Sequence, residues 1–148
     1  MIKFFSKEEE RQIIAAIQEA ERQTSGEIRV HVEGRMEAEE IMDEALKTFA
    51  QLKMHETEQR NGVLIFLAPK ERSFLILGDE GIDKLVPEHF WEDVRDIMQH
   101  HFRENAFAKG ICEGVARVGE NLKTFFPYQK DDINELPDDI SFGKDSSA

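Results

Sequence analysis

The run of residues 63–77 constrains this chain more than any other feature. Two apolar, strand-like stretches, 63–68 and 73–77, are separated only by residues 69–72. A connector that short favours an antiparallel hairpin. If Ala68 faces Ser73, then Ile65 faces Ile76, Gly62 faces Asp79 and Asn61 faces Glu80. The turn Arg60-Asn61-Gly62 and the acidic turn Gly78-Asp79-Glu80-Gly81 then meet at one end of a sheet, and function is to be sought there. The first stretch has no polar interruption, as expected of a central strand covered on both faces.

The remaining pattern surrounds this hairpin with helices. Ser6-Lys7-Glu8-Glu9 has the spacing of a capping box and opens a helix that turns Ile13, Ile14 and Ile17 inward and ends near Gln23. In residues 27–33, Ile28, Val30 and Val32 alternate with Arg29, His31 and Glu33, which predicts a strand with one buried face and His31 on its polar face. Ala38, Ile41, Met42, Ala45, Leu46, Phe49 and Leu52 recur at helical spacing over 37–53. A helix between two strands favours a right-handed parallel crossover into the 63–68 stretch. Pro87 suits a first helical turn, followed by a stripe of Phe90, Trp91, Val94, Ile97, Met98 and Phe102. Asn105 is placed to cap a last helix buried through Phe107, Ile111, Val115, Val118 and Leu122. Gly110 and Gly114 would let that helix lie close to a neighbour.

At 148 residues the chain is one domain's worth. Its 31 acidic against 19 basic residues give a net charge of −12, a field that repels nucleic acid and attracts cations and basic partners. No apolar run approaches a membrane span or a signal-peptide core. Cys112 is the single cysteine, so an internal disulfide is excluded and the cytoplasm is the expected compartment. The Asp-rich residues 127–148 form an acidic tail expected to be partly disordered or docked on the domain through Ile133, Leu136, Ile140 and Phe142.

Five short motifs occur in a fixed order. They are Thr24-Ser25-Gly26-Glu27-Ile28, Asn61-Gly62-Val63-Leu64, Lys70-Glu71-Arg72, Gly78-Asp79-Glu80-Gly81-Ile82 and Phe107-Ala108-Lys109-Gly110-Ile111. In this order and spacing the chain resembles the TPM domain, named for a thylakoid lumen protein, a photosystem II repair protein and a modulator of acetylcholine receptors. The resemblance implies a three-layer α/β/α sandwich with a mixed sheet, one parallel crossover and a central hairpin, within residues 1–126. It also implies calcium binding near the strand ends and, for plant members, acid phosphatase activity. Most relatives are exported and often membrane-anchored, whereas this chain resembles a short, soluble, bacterial-type branch. The family often carries an acidic residue where Arg60 stands here.

Calcium takes six to eight oxygen ligands from carboxylates and carbonyls. Asp79, Glu80 and Asp83 supply three carboxylates within five residues, and the hairpin register brings Asn61 and Glu58 alongside. The first strand, parallel to the second, adds Glu27 and Ser25 at the same end. The competing reading is a solvated acidic turn. Arg60 either pairs with Asp79 or Glu80 in a metal's place, or holds a phosphate oxygen. No pair of histidines has ligand spacing, and His101, near an apolar stripe, reads as a packing residue. No nucleophile motif is complete, Cys112 and Arg117 being one residue too close for a thiol phosphatase loop. The expected function is a calcium-binding, non-enzymatic regulatory or interaction module acting on a protein partner. The alternative is a weak metal-dependent phosphomonoesterase with Asp79 and Glu80 as ligands.

Overall fold

A computed structural model describes residues 4–129 and 140–143. The helix α1 spans Lys7–Glu21, the strand β1 Glu27–Val32 and the helix α2 Ile41–Gln51. The hairpin follows as β2 (Gly62–Ala68) and β3 (Ser73–Gly78), and then α3 (Glu80–Asp83), α4 (Glu92–Arg103), α5 (Phe107–Leu122) and a last strand, β4 (Ile140–Phe142). The capping box forms: Ser6 Oγ accepts the Glu9 N–H at 3.1 Å, while the Ser6 N–H donates to Glu9 Oε1 at 2.9 Å.

The sheet order is β3-β2-β1-β4, with β2–β3 antiparallel and β1 parallel to both β2 and β4. This is the mixed sheet with a crossover through α2 and a hairpin. The hairpin register is the one expected, with Ala68 opposite Ser73 and Ile65 opposite Ile76. It ends at Val63 opposite Gly78, beyond which the Asp79 N–H donates to the Gly62 carbonyl at 2.9 Å. All seven residues of β2 are buried.

The two faces of the sheet are covered unequally. The helices α1, α4 and α5 cover one face and α2 covers the other. Val63, Ile65 and Leu67 belong to the larger core with Ile13, Ile17 and Val115, whereas Leu64 and Phe66 meet Ala45, Phe49 and Met54. Within α2 the buried stripe is rotated from the apolar one. Met42 and Leu46 are 47% and 49% exposed, while Glu44 and Thr48 are buried. The reason is local: the Glu44 carboxylate accepts the backbone N–H groups of Ala38 (2.8 Å) and Glu37 (3.3 Å) and thereby ties down the loop before the helix.

Three further expectations are corrected. The β1 face carrying Glu27, His31 and Glu33 is buried rather than solvated, because β4 and α2 close over a strand that alternation alone marks as half-exposed. Pro87 lies in a turn five residues before α4, whose first residue is Glu92. Asn105 does not cap α5: it takes a left-handed conformation (φ 60°), which Asn tolerates, and Ala106 occupies the cap position. The close approach expected of Gly110 and Gly114 is present, since a Cβ on them would stand 2.7 Å from a Phe102 ring carbon and 2.6 Å from Met98 Cγ. Ile133 and Leu136 lie outside the described residues.

Candidate functional site

The sheet end bearing the starts of β1 and β2 and the end of β3 is built around buried polar groups. The Thr57 hydroxyl accepts the Asn61 N–H at 3.1 Å, and Asn61 Nδ2 donates to the Ser25 carbonyl at 3.1 Å. The Glu27 N–H donates to the Asn61 carbonyl at 3.2 Å. Asn61, Glu27 and Asp79 are 2%, 4% and 6% exposed, so these bonds form away from water, where an unmade one is costly. Arg60 has φ 52°, and its carbonyl accepts the Gly81 N–H at 2.9 Å, which locks the Asn-Gly turn to the first turn of α3.

Arg60 dominates the electrostatics of this end. Its Nε and Nη2 donate to Asp79 Oδ2 and Oδ1 at 2.7 and 2.9 Å, and Nη1 reaches Glu80 Oε1 at 3.0 Å. Such a fork-to-carboxylate pair fixes orientation as well as charge. Asp79 Oδ1 also accepts the Glu80 N–H at 2.8 Å and so caps α3. The Asp79 hydrogen bonds raise the guanidinium pKa further above its ordinary value. Partial loss of hydration at this otherwise exposed residue, and then the Asp79 charge, raise the Asp83 carboxyl above its ordinary value.

The structure thus brings Asp79, Glu80 and Arg60 together and leaves the other expected ligands dispersed. Asn61 and Glu27 are held in the buried layer beneath, and Glu58 and Asp83 are exposed. Among the described residues, no three acidic, histidine or cysteine side chains converge to hold a metal ion. Asp79 and Glu80 hold the guanidinium of Arg60. The thiol of Cys112 is raised by burial and by the charges of Glu113 and Glu9, the opposite of what a thiolate nucleophile needs.

A second polar cluster escaped the sequence reading. At the other end of β1, His31 Nε2 lies 3.1 Å from Glu33 Oε1, and Nδ1 lies 2.7 Å from Ser141 Oγ on β4. The ring stacks on Phe66. Burial lowers the His31 pKa, outweighing the Glu33 hydrogen bond and charge that raise it, so the ring is neutral at pH 7. The His-x-Glu spacing on one strand face was the available signal, but Ser141 lies 110 positions away in sequence.

The sequence matches the TPM domain model over residues 2–121. The fold is similar to that of the BA42 protein from the psychrophilic bacterium Bizionia argentinensis, solved by NMR. That protein is 43% identical, with a TM-score of 0.91 and coverage of 97% of this chain and 98% of that one. The N-terminal domain of a protein from P. gingivalis is 24% identical, with a TM-score of 0.66 over 82% of this chain and 78% of that one. The N-terminal domain of the cg2496 protein from Corynebacterium glutamicum shares the fold at 13% identity, with a TM-score of 0.64 over 93% and 80%. No curated protein matches the sequence. No described helix is long and apolar enough to cross a membrane. The match spans most of the chain, from α1 to the end of α5, and the chain belongs to the TPM domain family.

Proposed function

We propose that the domain is a non-enzymatic interaction module whose acidic sheet end receives cationic groups. The observation that carries this reading is the guanidinium of Arg60, which rests bidentate on Asp79 with 39% of its side chain exposed. The pair defines a seat for a planar or compact cation on a buried carboxylate, with the exposed Glu80 and Asp83 beside it. A basic side chain of a partner protein, or Ca²⁺, takes that seat when Arg60 swings out. Calcium therefore competes with the chain's own cation, and its affinity is expected on the order of 10⁻⁶ to 10⁻³ M. The single cysteine fits a reducing compartment such as the cytoplasm.

The test is a calcium titration of amide resonances in the wild-type chain and in Arg60→Gln. Asn61, Gly62 and residues 79–83 should move together in both. Removing the competing guanidinium should tighten binding about tenfold or more. Shifts confined to the acidic residues Asp131, Asp132, Asp138 and Asp139, or none in either protein, would remove the calcium part. Partner sets from pull-downs that are unchanged by Arg60→Gln, Asp79→Asn and chelator alike would remove the assignment of this end as the interaction site.

A further inference from the structure

At the opposite end of the sheet, a cleft of about 680 Å³ lies between the start of β3, the C-terminal end of β2 and the α4–α5 turn. That volume is in the range of small-molecule sites, which combine apolar walls with a few placed polar groups. The floor is aromatic. Phe74 and Phe102 meet edge to face at 5.0 Å, Phe102 and Phe107 lie 5.3 Å apart, and all three are only partly buried. The location is also informative, because ligands of α/β sheets gather beyond the carboxyl ends of parallel strands, here β1 and β2.

The charge around this floor is the opposite of that of the whole molecule. Arg72 and Arg103 both line the cleft, and among the described residues neither forms an ion pair. On a chain of net charge −12, two guanidiniums beside an aromatic floor, with no carboxylate in the cleft lining, complement an anion. Their sequence neighbours Glu71 and Glu104 are exposed and do not pair with them. Among the described residues, two of the four non-glycine residues with positive φ, Arg72 (52°) and Asn105 (60°), border the same cleft. Residues held in sparsely populated backbone conformations cluster at binding sites.

We propose that this cleft binds a small amphipathic carboxylate, its aromatic or short aliphatic body against Phe74, Phe102 and Phe107 and its carboxylate between Arg72 and Arg103. A carboxylate suits the guanidinium fork, and the aromatic floor requires an apolar body that inorganic phosphate lacks. The assignment is independent of the acidic end.

The experiment uses the full chain and two probes of the same shape, 3-phenylpropionate and 3-phenylpropanol, followed by amide shifts. The acid should saturate with a Kd on the order of 10⁻³ to 10⁻⁴ M, as ligand efficiency allows for a molecule of that size. Ser73, Phe74, Arg103, Asn105 and Phe107 should respond. The neutral alcohol should bind about tenfold more weakly or worse, and Arg72→Gln with Arg103→Gln should weaken the acid to the same degree. Both arginines are exposed, so the variant's spectrum should stay folded. Equal binding of acid and alcohol, an undiminished affinity in the double variant, or shifts elsewhere would each overturn the assignment.

Discussion

Replacing Gly81 by Ala tests how the acidic end is assembled. A Cβ built there would lie 2.2 Å from the Gln59 carbonyl oxygen and 2.6 Å from that of Arg60. Both obstacles are backbone, so no side chain can rotate aside. Real Cβ contacts stay above about 3.0 Å, which forces α3 away from the Asn-Gly turn by about 0.8 Å. The Gly81 N–H bond to the Arg60 carbonyl, 2.9 Å long, then stretches beyond useful range, and Ile82, fully buried beside it, shifts in the core. The lost hydrogen bond costs about 1 kcal/mol and the overpacking about 1–3 kcal/mol. Helix propensity returns at most about 1 kcal/mol. The net is a destabilisation of about 2–3 kcal/mol, or roughly 5–10 °C in Tm for a chain of this size. Urea unfolding followed by circular dichroism measures it. Gly26→Ala is the control, because its Cβ would meet the end of the Leu122 side chain at 2.9 Å, which can move. Leu122 is buried, so the cost of Gly26→Ala should lie at the low end of the overpacking range, about 1 kcal/mol. A Gly81→Ala change within about 0.5 kcal/mol of wild type, or a Gly26→Ala change as costly as Gly81→Ala, would refute the reasoning.

Acid should weaken the fold through His31. Its folded pKa is depressed, so the unfolded chain binds the proton first. The stability it contributes is complete above the unfolded value near 6.5 and is lost as pH falls toward the folded pKa. Urea midpoints should decline below about pH 6.5 with a slope that His31→Gln flattens, and equal slopes in the two proteins would contradict this. A chain ending after Gln129 loses β4, the burial of Ile140 and the hydroxyl partner of His31. It should be less stable by about 2 kcal/mol or more in the same assay, and an unchanged midpoint would show that β4 contributes nothing. The raised Cys112 thiol should react with iodoacetamide about tenfold or more slowly in the native than in the unfolded chain; equal rates would overturn its assignment as a structural, inert thiol.

The sequence by itself determined the elements whose physics is local. The hairpin register follows from the length of its connector, the start of α1 from the Ser6–Glu9 box, and the strand character of β1 from its alternation. The ordered Gly and Asn turns carried the resemblance to the family. The meeting of Arg60 with Asp79 and Glu80 was also legible, because an antiparallel register of known offset fixes which turn residues are neighbours. Tertiary structure alone decided which faces are wet. Alternation marks one face of β1 as apolar but cannot say that β4 and α2 bury the other, so His31 and Glu33 read as solvated. Periodicity in α2 selected Met42 and Leu46, yet Glu44 faces inward because its carboxylate satisfies two loop N–H groups. The dispersal of the expected calcium ligands is of the same kind. Asp79 and Glu80 both meet Arg60, but Asp79 is buried under the guanidinium and caps a helix while Glu80 and Asp83 face water, and Asn61 and Glu27 stay in the buried layer. The cleft between Arg72 and Arg103 joins residues from two distant turns, and only packing of α4 and α5 against β3 brings them to one apolar floor.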